Sequence, residues 1–119
     1  MKYQGSCHCK AVTFAFEAEE ITQGLQCNCS ICLRKNAIMT LERIPASDFQ
    51  LITGKEALQT YLWGDKVVNQ YFCRHCGIYP FHEVGDTPHA AQHYRVNLGC
   101  VDGVEPRSLE RVEFDGRAM

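Results

Sequence analysis

The sequence lacks any long apolar run. Neither the amino-terminal residues, Met1 to Cys7, nor any later stretch is apolar for long enough to form a signal-peptide core or to span a membrane. We therefore expect a cytoplasmic protein with no membrane partner. Because the cytosol keeps thiols reduced, the cysteines of a short chain in this compartment are expected to bind metal rather than to form disulfides.

Positive charge is also scarce. Lys and Arg number 12 against 14 Asp and Glu, which gives a formal net charge of -2 at pH 7. The basic residues form no run that would follow a phosphate backbone, so we expect no nucleic-acid partner. The 119 residues suffice for one core, and no linker, repeat or low-complexity segment divides them. Residues 1–119 are therefore predicted to form a single domain.

Helical periodicity is weak, and short extended segments predominate. Residues 11–17 alternate in the pattern of a half-buried strand, with Val12, Phe14 and Phe16 on one face. Further strands are predicted at about 37–44, 58–63, 67–72 and 94–100, with a hairpin turn at Gly64-Asp65. Helical turns are expected only at 30–35 and 106–111, and an irregular loop at 85–92. The pattern indicates a mainly β fold with little helix.

Cysteine, by contrast, is abundant. The eight cysteines comprise one pair, Cys7 and Cys9, a middle group that we call the cysteine triplet, Cys27, Cys29 and Cys32, a late pair, Cys73 and Cys76, and Cys100 alone. Residues two apart on a strand share a face, so Cys7 and Cys9 can reach one ion. The late pair encloses a turn followed by Gly77, as in a zinc knuckle, where glycine adopts a left-handed conformation. No thioredoxin-like pattern surrounds this motif, which favours metal over redox chemistry.

The cysteine triplet offers three thiolates within six residues. Structural zinc sites usually have four protein ligands, whereas catalytic sites usually leave one position for water or substrate. The triplet therefore indicates chemistry, unless Cys100 or a histidine closes it and both zincs are structural. Spacing also permits another division, a zinc ribbon of Cys29, Cys32, Cys73 and Cys76 with Cys7, Cys9 and Cys27 as the second set. Spacing alone leaves these alternatives open.

Four motifs occur in order along the chain. They are Gly5-Ser6-Cys7-His8-Cys9, Cys27-x-Cys29-Ser30-x-Cys32-x-Arg34-Lys35, Phe72-Cys73-x-x-Cys76-Gly77-x-x-Pro80 and Val96-Asn97-x-x-Cys100. Together they resemble the glutathione-dependent formaldehyde-activating enzyme (GFA) family, which includes centromere protein V. The resemblance implies a β-tent fold of antiparallel sheets clamped by two zinc ions. It assigns Cys100 to a buried strand, the triplet Cys27, Cys29 and Cys32 to a catalytic zinc, and a structural zinc to Cys7, Cys9, Cys73 and Cys76.

The resemblance also implies a reaction. Family enzymes join glutathione to formaldehyde as S-hydroxymethylglutathione, or cleave the carbon-sulfur bond in reverse. We therefore predict a zinc-dependent carbon-sulfur lyase acting on a small thiol such as glutathione and a small aldehyde. Predicted contacts for the thiol's carboxylates are Arg34, Lys35 and Arg95, and candidate proton shuttles are His82, His89 and His93. The alternatives are a thiol- or metal-binding module without catalysis and a protein-interaction domain with two structural zincs.

Overall fold

Residues 1–63 and 68–118, which the computed structural model describes, form strands, one short α-helix and single turns of 3-10 helix. The strands are β1 (Lys2–Ser6), β2 (Thr13–Glu17), β3 (Gln23–Cys27), β4 (Met39–Thr40), β5 (Ile44–Pro45), β6 (Phe49–Thr53), β7 (Leu58–Trp63), β8 (Val68–Cys73), β9 (Phe81–Val84), β10 (His93–Val96) and β11 (Glu110–Phe114). The helix, α1, spans Ser30–Lys35; 3-10 turns lie at Ala46–Asp48, Lys55–Ala57, Leu98–Cys100, Pro106–Ser108 and Gly116–Ala118. The prediction of a mainly β fold with little helix is confirmed.

The described strands form three sheets. Their strand orders are β1-β2-β6, β5-β10-β9-β8-β7 and β11-β3-β4. Neighbouring strands within these orders are antiparallel, except that β11 runs parallel to β3. Alternation across β8, β9 and β10 produces two cross-strand rows on opposite faces of the second sheet, Asn69-Glu83-Tyr94 and Gln70-His82-Arg95. The second row borders the candidate site.

The core lies where the first and second sheets meet. Val12, Phe14 and Phe16, the predicted inward face of residues 11–17, are at most 1% exposed. Phe14 packs edge-on against Phe81 of the second sheet, with ring centroids 5.6 Å apart. The predicted alternation is therefore confirmed, although strand β2 itself begins only at Thr13. Burial of these side chains removes their apolar surface from water, and this stabilises the contact between the two sheets.

The strand predicted at about residues 37–44 is divided in two. Strand β4 pairs with β3 in the third sheet, whereas β5 pairs with β10 in the second. The chain bends at residues 41–43 between them. Arg95 stabilises the bend, because its Nη1 atom donates to the carbonyl oxygens of Thr40 (3.0 Å) and Leu41 (2.6 Å). The bend thereby transfers the chain from one sheet to the other.

Two other boundaries differ from prediction. The strand expected at 94–100 ends at Val96, because the Asn97 side chain accepts a hydrogen bond from the Gly99 amide (3.0 Å) and caps a 3-10 turn. Cys100 is therefore a half-buried turn residue, and its assignment to a buried strand is wrong. The helical turn expected at 106–111 stops at Ser108, after which β11 begins.

Several of the predicted elements agree with the structure. The strands at 58–63 and 67–72 correspond to β7 and β8, the helical turn at 30–35 is α1, and residues 85–92 form a loop. The predicted turn at Gly64-Asp65 lies outside the described residues. Within the part of the chain that is described, no helix is long and apolar enough to cross a membrane.

Candidate metal centres and the adjoining cavity

One group of cysteines joins two turns at the edge of the core. The Sγ atoms of Cys7, Cys9, Cys73 and Cys76, which we call the cysteine tetrad, lie within 4.8 Å of one another. Cys9 Sγ is 3.7 Å from the Sγ atoms of both Cys7 and Cys73. Sulfur ligands at zinc distance on a tetrahedral ion are separated by about 3.8 Å. The spacing of the tetrad is therefore compatible with a zinc ion.

Two tight turns bring the tetrad together. Cys7 and Cys9 lie in the turn after β1, so their proximity comes from this turn and not from strand alternation as predicted. Lys10, at a φ of 66°, closes the turn by donating its amide to the Cys7 carbonyl (3.2 Å). Gly77 has the left-handed φ of 75° expected of a zinc knuckle, and its amide donates to the Cys73 carbonyl (2.8 Å). Each turn therefore directs its thiols to a common point.

The tetrad thiols differ in how readily they ionise. Burial opposes ionisation of Cys76, but amide hydrogen bonds from Cys9 and Ile78 lower its pKa to about 6. The amide of Ala11 lowers the pKa of Cys9, yet desolvation and the neighbouring thiols raise it to about 11. Ionisation of one thiol thus disfavours ionisation of its neighbour, and a bound divalent cation would relieve the repulsion between the two thiolates.

The cysteine triplet lies on one short segment. Cys27 ends β3, Cys29 precedes α1, and Cys32 lies within that helix, with all three Sγ atoms within 4.8 Å of one another. Among the described residues, no further cysteine or histidine belongs to this group. Cys100 belongs to neither group, although burial and the charges of Cys7 and Cys76 raise its pKa to about 11. The cysteines are thus grouped as the resemblance implied, and the ribbon division does not occur.

Ionisation is uneven within the triplet as well. Burial acts to raise the pKa of Cys29, but hydrogen bonds from the amide and thiol of Cys32, the thiol of Cys27 and the amide of Ile31 together lower it. Burial and the Cys29 thiol raise the pKa of Cys32 to about 12, against the opposing charge of Lys35. Cys29 therefore ionises more readily than Cys32, and a bound cation would favour the thiolate of Cys32. These three sulfur donors suit zinc, with one tetrahedral position left for another ligand.

The triplet opens into a cavity of about 530 Å³. This volume lies within the range of small-molecule sites, roughly 300–1,000 Å³. Its lining includes all three triplet cysteines and, among the described residues, no tetrad cysteine. Apolar side chains predominate, and the polar residues are Lys35, Arg43, Gln70, His82, Arg95 and Glu113. The open side of the triplet therefore faces a space that can hold a small substrate.

The predicted carboxylate contacts fall in different places. Lys35 and Arg95 line the cavity. Arg34 is exposed, donates from Nη1 to the Ser30 carbonyl (2.9 Å) within α1, and does not line it. Arg43, an exposed residue at the bend between β4 and β5, was missed by sequence reasoning but does line the cavity. The position of Arg43 near a predicted strand end does not indicate a binding role, since solvated arginines are common at strand ends.

Lys35 is held between the helix and the second sheet. Its Nζ atom donates to Oε1 of Gln70 (2.6 Å) and lies 3.8 Å from the centroid of the Tyr79 ring. Gln70 is buried, at 4% exposure. Burial lowers the pKa of Lys35, and the three triplet thiols oppose that change. Sequence reasoning missed Gln70 and Tyr79; a polar residue within predicted strand 67–72 was the one available signal for Gln70.

The histidines are also separated by the fold. His82 is half-buried, lines the cavity and bonds through Nδ1 to the Tyr79 hydroxyl. Burial, followed by the charges of Lys35 and Arg95, lowers its pKa to about 3, so it is neutral near pH 7. His89 is exposed in the loop at 85–92, and His93 is buried with Nδ1 2.9 Å from the Ala91 carbonyl oxygen. Neither His89 nor His93 lines the cavity.

The fold and these sites define a small β protein with a closed cysteine tetrad and an open cysteine triplet, both compatible with bound zinc. The family model described as glutathione-dependent formaldehyde-activating enzyme matches residues 2–114. A crystal structure of a Rhodobacter sphaeroides protein is similar at a TM-score of 0.77 and 32% identity, covering 92% of this chain and 99% of that one. The chain belongs to the glutathione-dependent formaldehyde-activating enzyme family, as the motifs predicted.

Proposed function

We propose that the protein is a zinc-dependent enzyme that joins a small thiol such as glutathione to formaldehyde and, in reverse, acts as a carbon-sulfur lyase on the adduct. Family membership supports a role related to glutathione and formaldehyde. The observation that carries the proposal is the position of the triplet: three thiols at metal-ligand spacing open into a cavity of about 530 Å³. A purely structural metal site would have no need of this space.

The two cysteine groups have separate roles in this proposal. The tetrad Cys7, Cys9, Cys73 and Cys76 would hold a structural zinc, and Cys27, Cys29 and Cys32 a second, catalytic one. When bound at the triplet, zinc would stabilise a thiolate at neutral pH and polarise an aldehyde oxygen. The cavity has a mostly apolar lining, and binding of both reactants within it would hold them close together.

The bond changes are simple. In the forward direction the thiol sulfur bonds to the aldehyde carbon, and the thiol proton passes to the aldehyde oxygen. In reverse the carbon-sulfur bond breaks, and the hydroxyl proton returns to the sulfur. Because His82 is neutral near pH 7, it offers the cavity a hydrogen-bonding imidazole rather than a charged proton donor.

The carboxylates of glutathione require cations near the cavity. Arg95 is already bonded to the Thr40 and Leu41 carbonyl oxygens, so its guanidinium is fixed in place at the wall. Burial lowers the pKa of Arg95, and so does the positive charge of Arg43, while the negative charge of Glu42 opposes this change. Two positive charges on the lining of one cavity favour binding of an anion there. We therefore assign the carboxylate contacts to Arg95 and Arg43.

The test is the rate of adduct formation from glutathione and formaldehyde, measured above the spontaneous reaction with zinc-loaded protein. Wild type should exceed the spontaneous rate, and Cys29→Ala should abolish the excess while cooperative unfolding is kept. Cys100→Ala is the matched control, because it removes a half-buried cysteine that belongs to neither group, and it should retain most activity. Full activity in Cys29→Ala would refute the catalytic assignment of the triplet.

A further inference from the structure

The ammonium group of Lys35 is fixed beside the triplet. Lys35 lies three residues after Cys32 in α1, so the two side chains share a face of the helix. Gln70 accepts a hydrogen bond from Nζ at 2.6 Å, and the Tyr79 ring covers the ammonium at 3.8 Å. The side chain is half-buried and lines the same cavity as all three triplet cysteines. Its charge is therefore held in one place at the site.

Among the residues that the structure describes, no carboxylate forms an ion pair with this ammonium group. The ion pair found among the described residues joins Arg107 to Glu105, and none involves Lys35. An ammonium group removed from water is costly unless an anion compensates it. The triplet cysteines line the same cavity and, as thiolates, would supply the compensating negative charge to Lys35. The position of Lys35 is thus explained by the negative charge that the triplet carries.

That negative charge grows when a thiol binds. Three thiolates around a divalent ion leave a net charge of about -1, and a fourth thiolate makes it about -2. We propose that Lys35 supplies the positive charge that allows the triplet site to accept an anionic thiol, and that Gln70 and Tyr79 position it. This role rests on the proposed function, and it replaces the carboxylate contact that the sequence predicted for Lys35.

The contacts of Lys35 separate these two roles. A lysine that captures a substrate carboxylate extends freely on its flexible stem. Here Gln70 uses one of the three N–H donors and the Tyr79 ring occupies another direction, which leaves the remaining donor for the cavity. Such a fixed ammonium acts on charge that develops at the triplet and has little freedom to follow a distant carboxylate.

The experiment measures ligand binding by absorption of the cobalt-loaded protein, in which sulfur-to-cobalt bands report new ligands. At one fixed pH the protein is titrated with 2-mercaptoethanol, glutathione and imidazole. Lys35→Met should lower the binding affinity for both thiols by about tenfold or more and leave the affinity for neutral imidazole unchanged. Lys35→Arg should restore most of the thiol affinity, and Gln70→Leu should lose part of it. Arg34→Met, the adjacent exposed cation, is the control and should match wild type.

Each other outcome overturns the inference. Loss of glutathione affinity alone in Lys35→Met would show a carboxylate contact, and equal loss for all three ligands would show general support of the metal loop. Unchanged thiol affinity in Lys35→Met would refute the role of the charge and leave the proposed function standing. A wild-type protein with no thiol-dependent change would refute this inference together with the proposed function.

Discussion

The tetrad and the triplet have the same donor atom but different relations to the fold. The tetrad unites turns 64 residues apart, as between Cys9 and Cys73, and Cys7 and Cys73 are almost fully buried in the core. The triplet draws on six consecutive residues, all three cysteines are half-buried, and α1 buries none of its residues. The tetrad ligands are far apart in sequence, so a metal bound there would crosslink the fold. The triplet ligands are close in sequence, so a metal bound there would lie at the cavity without crosslinking distant segments.

This difference has an energetic consequence. A metal that joins distant parts of a chain contributes its binding free energy to folding, because the unfolded chain does not bring those ligands together. Ligands within one short loop remain close even in the unfolded chain, so metal binding there adds less to the folding free energy. Loss of one ligand should therefore affect stability at the tetrad and activity at the triplet.

The largest effect is expected from Cys73→Ala. It opens the tetrad and leaves a void in the core, and it should lower the free energy of unfolding by more than about 4 kcal/mol. Cys27→Ala is the matched change in the triplet and should cost less than half as much. Urea unfolding with metal analysis of each purified variant measures both. Equal losses would mean that both sites are structural, as in a protein-interaction domain.

Gly116→Ala is expected to have an intermediate effect, confined to the triplet. A Cβ atom at Gly116 would lie 2.5 Å from Cys27 Sγ and 3.2 Å from Cys29 Cβ. The sulfur must move, at a cost of about 1–3 kcal/mol, so affinity for metal at the triplet should fall by about tenfold or more. Chelator competition measures this loss, and the tetrad should retain its metal.

Gly99→Ala is the control for this change, because its Cβ atom would meet only the Asn97 side chain, at 3.3 Å. It should leave the affinity at both cysteine groups unchanged. If Gly116→Ala left the metal affinity of the triplet unaltered, the segment around residue 116 would have moved in place of the Cys27 sulfur, which would contradict the prediction.

Local features were the ones that the sequence could predict. The helical turn at 30–35 and the left-handed Gly77 depend on neighbouring residues, and the structure has both. The grouping of Cys73 with Cys7 depended on the family motifs, because spacing alone allowed two divisions. Metal coordination requires cysteine ligands at short, characteristic spacings, and such spacings can be recognised in a single sequence.

Long-range features were not predictable. Strand β11 is exposed along its whole length, so it lacks the alternation that marks a half-buried strand, and it pairs with β3 from far along the chain. The cavity wall of Gln70, His82 and Arg95 arises from the register of three strands, which no local pattern specifies. Sequence reasoning therefore identified the metal ligands better than it identified the residues that surround them.

The smallest predicted effect concerns the cavity wall beside the triplet. The pKa of His82 is lowered from 6.5 to about 3, so in the pH range between these values protons bind the unfolded chain in preference to the folded one. Stability from this group is complete above pH 6.5 and is lost as the pH falls, by about 1 kcal/mol per unit.

His82→Gln keeps a polar partner for Tyr79 but does not titrate, so its free energy of unfolding should fall less steeply than that of wild type between pH 6.5 and 5. Acid release of metal affects both proteins alike, and His89→Gln in the exposed loop should follow wild type. Parallel curves for His82→Gln and wild type would mean that the wall is as well solvated as the protein surface, and the triplet would then differ from the tetrad in its number of ligands but not in the dryness of its surroundings.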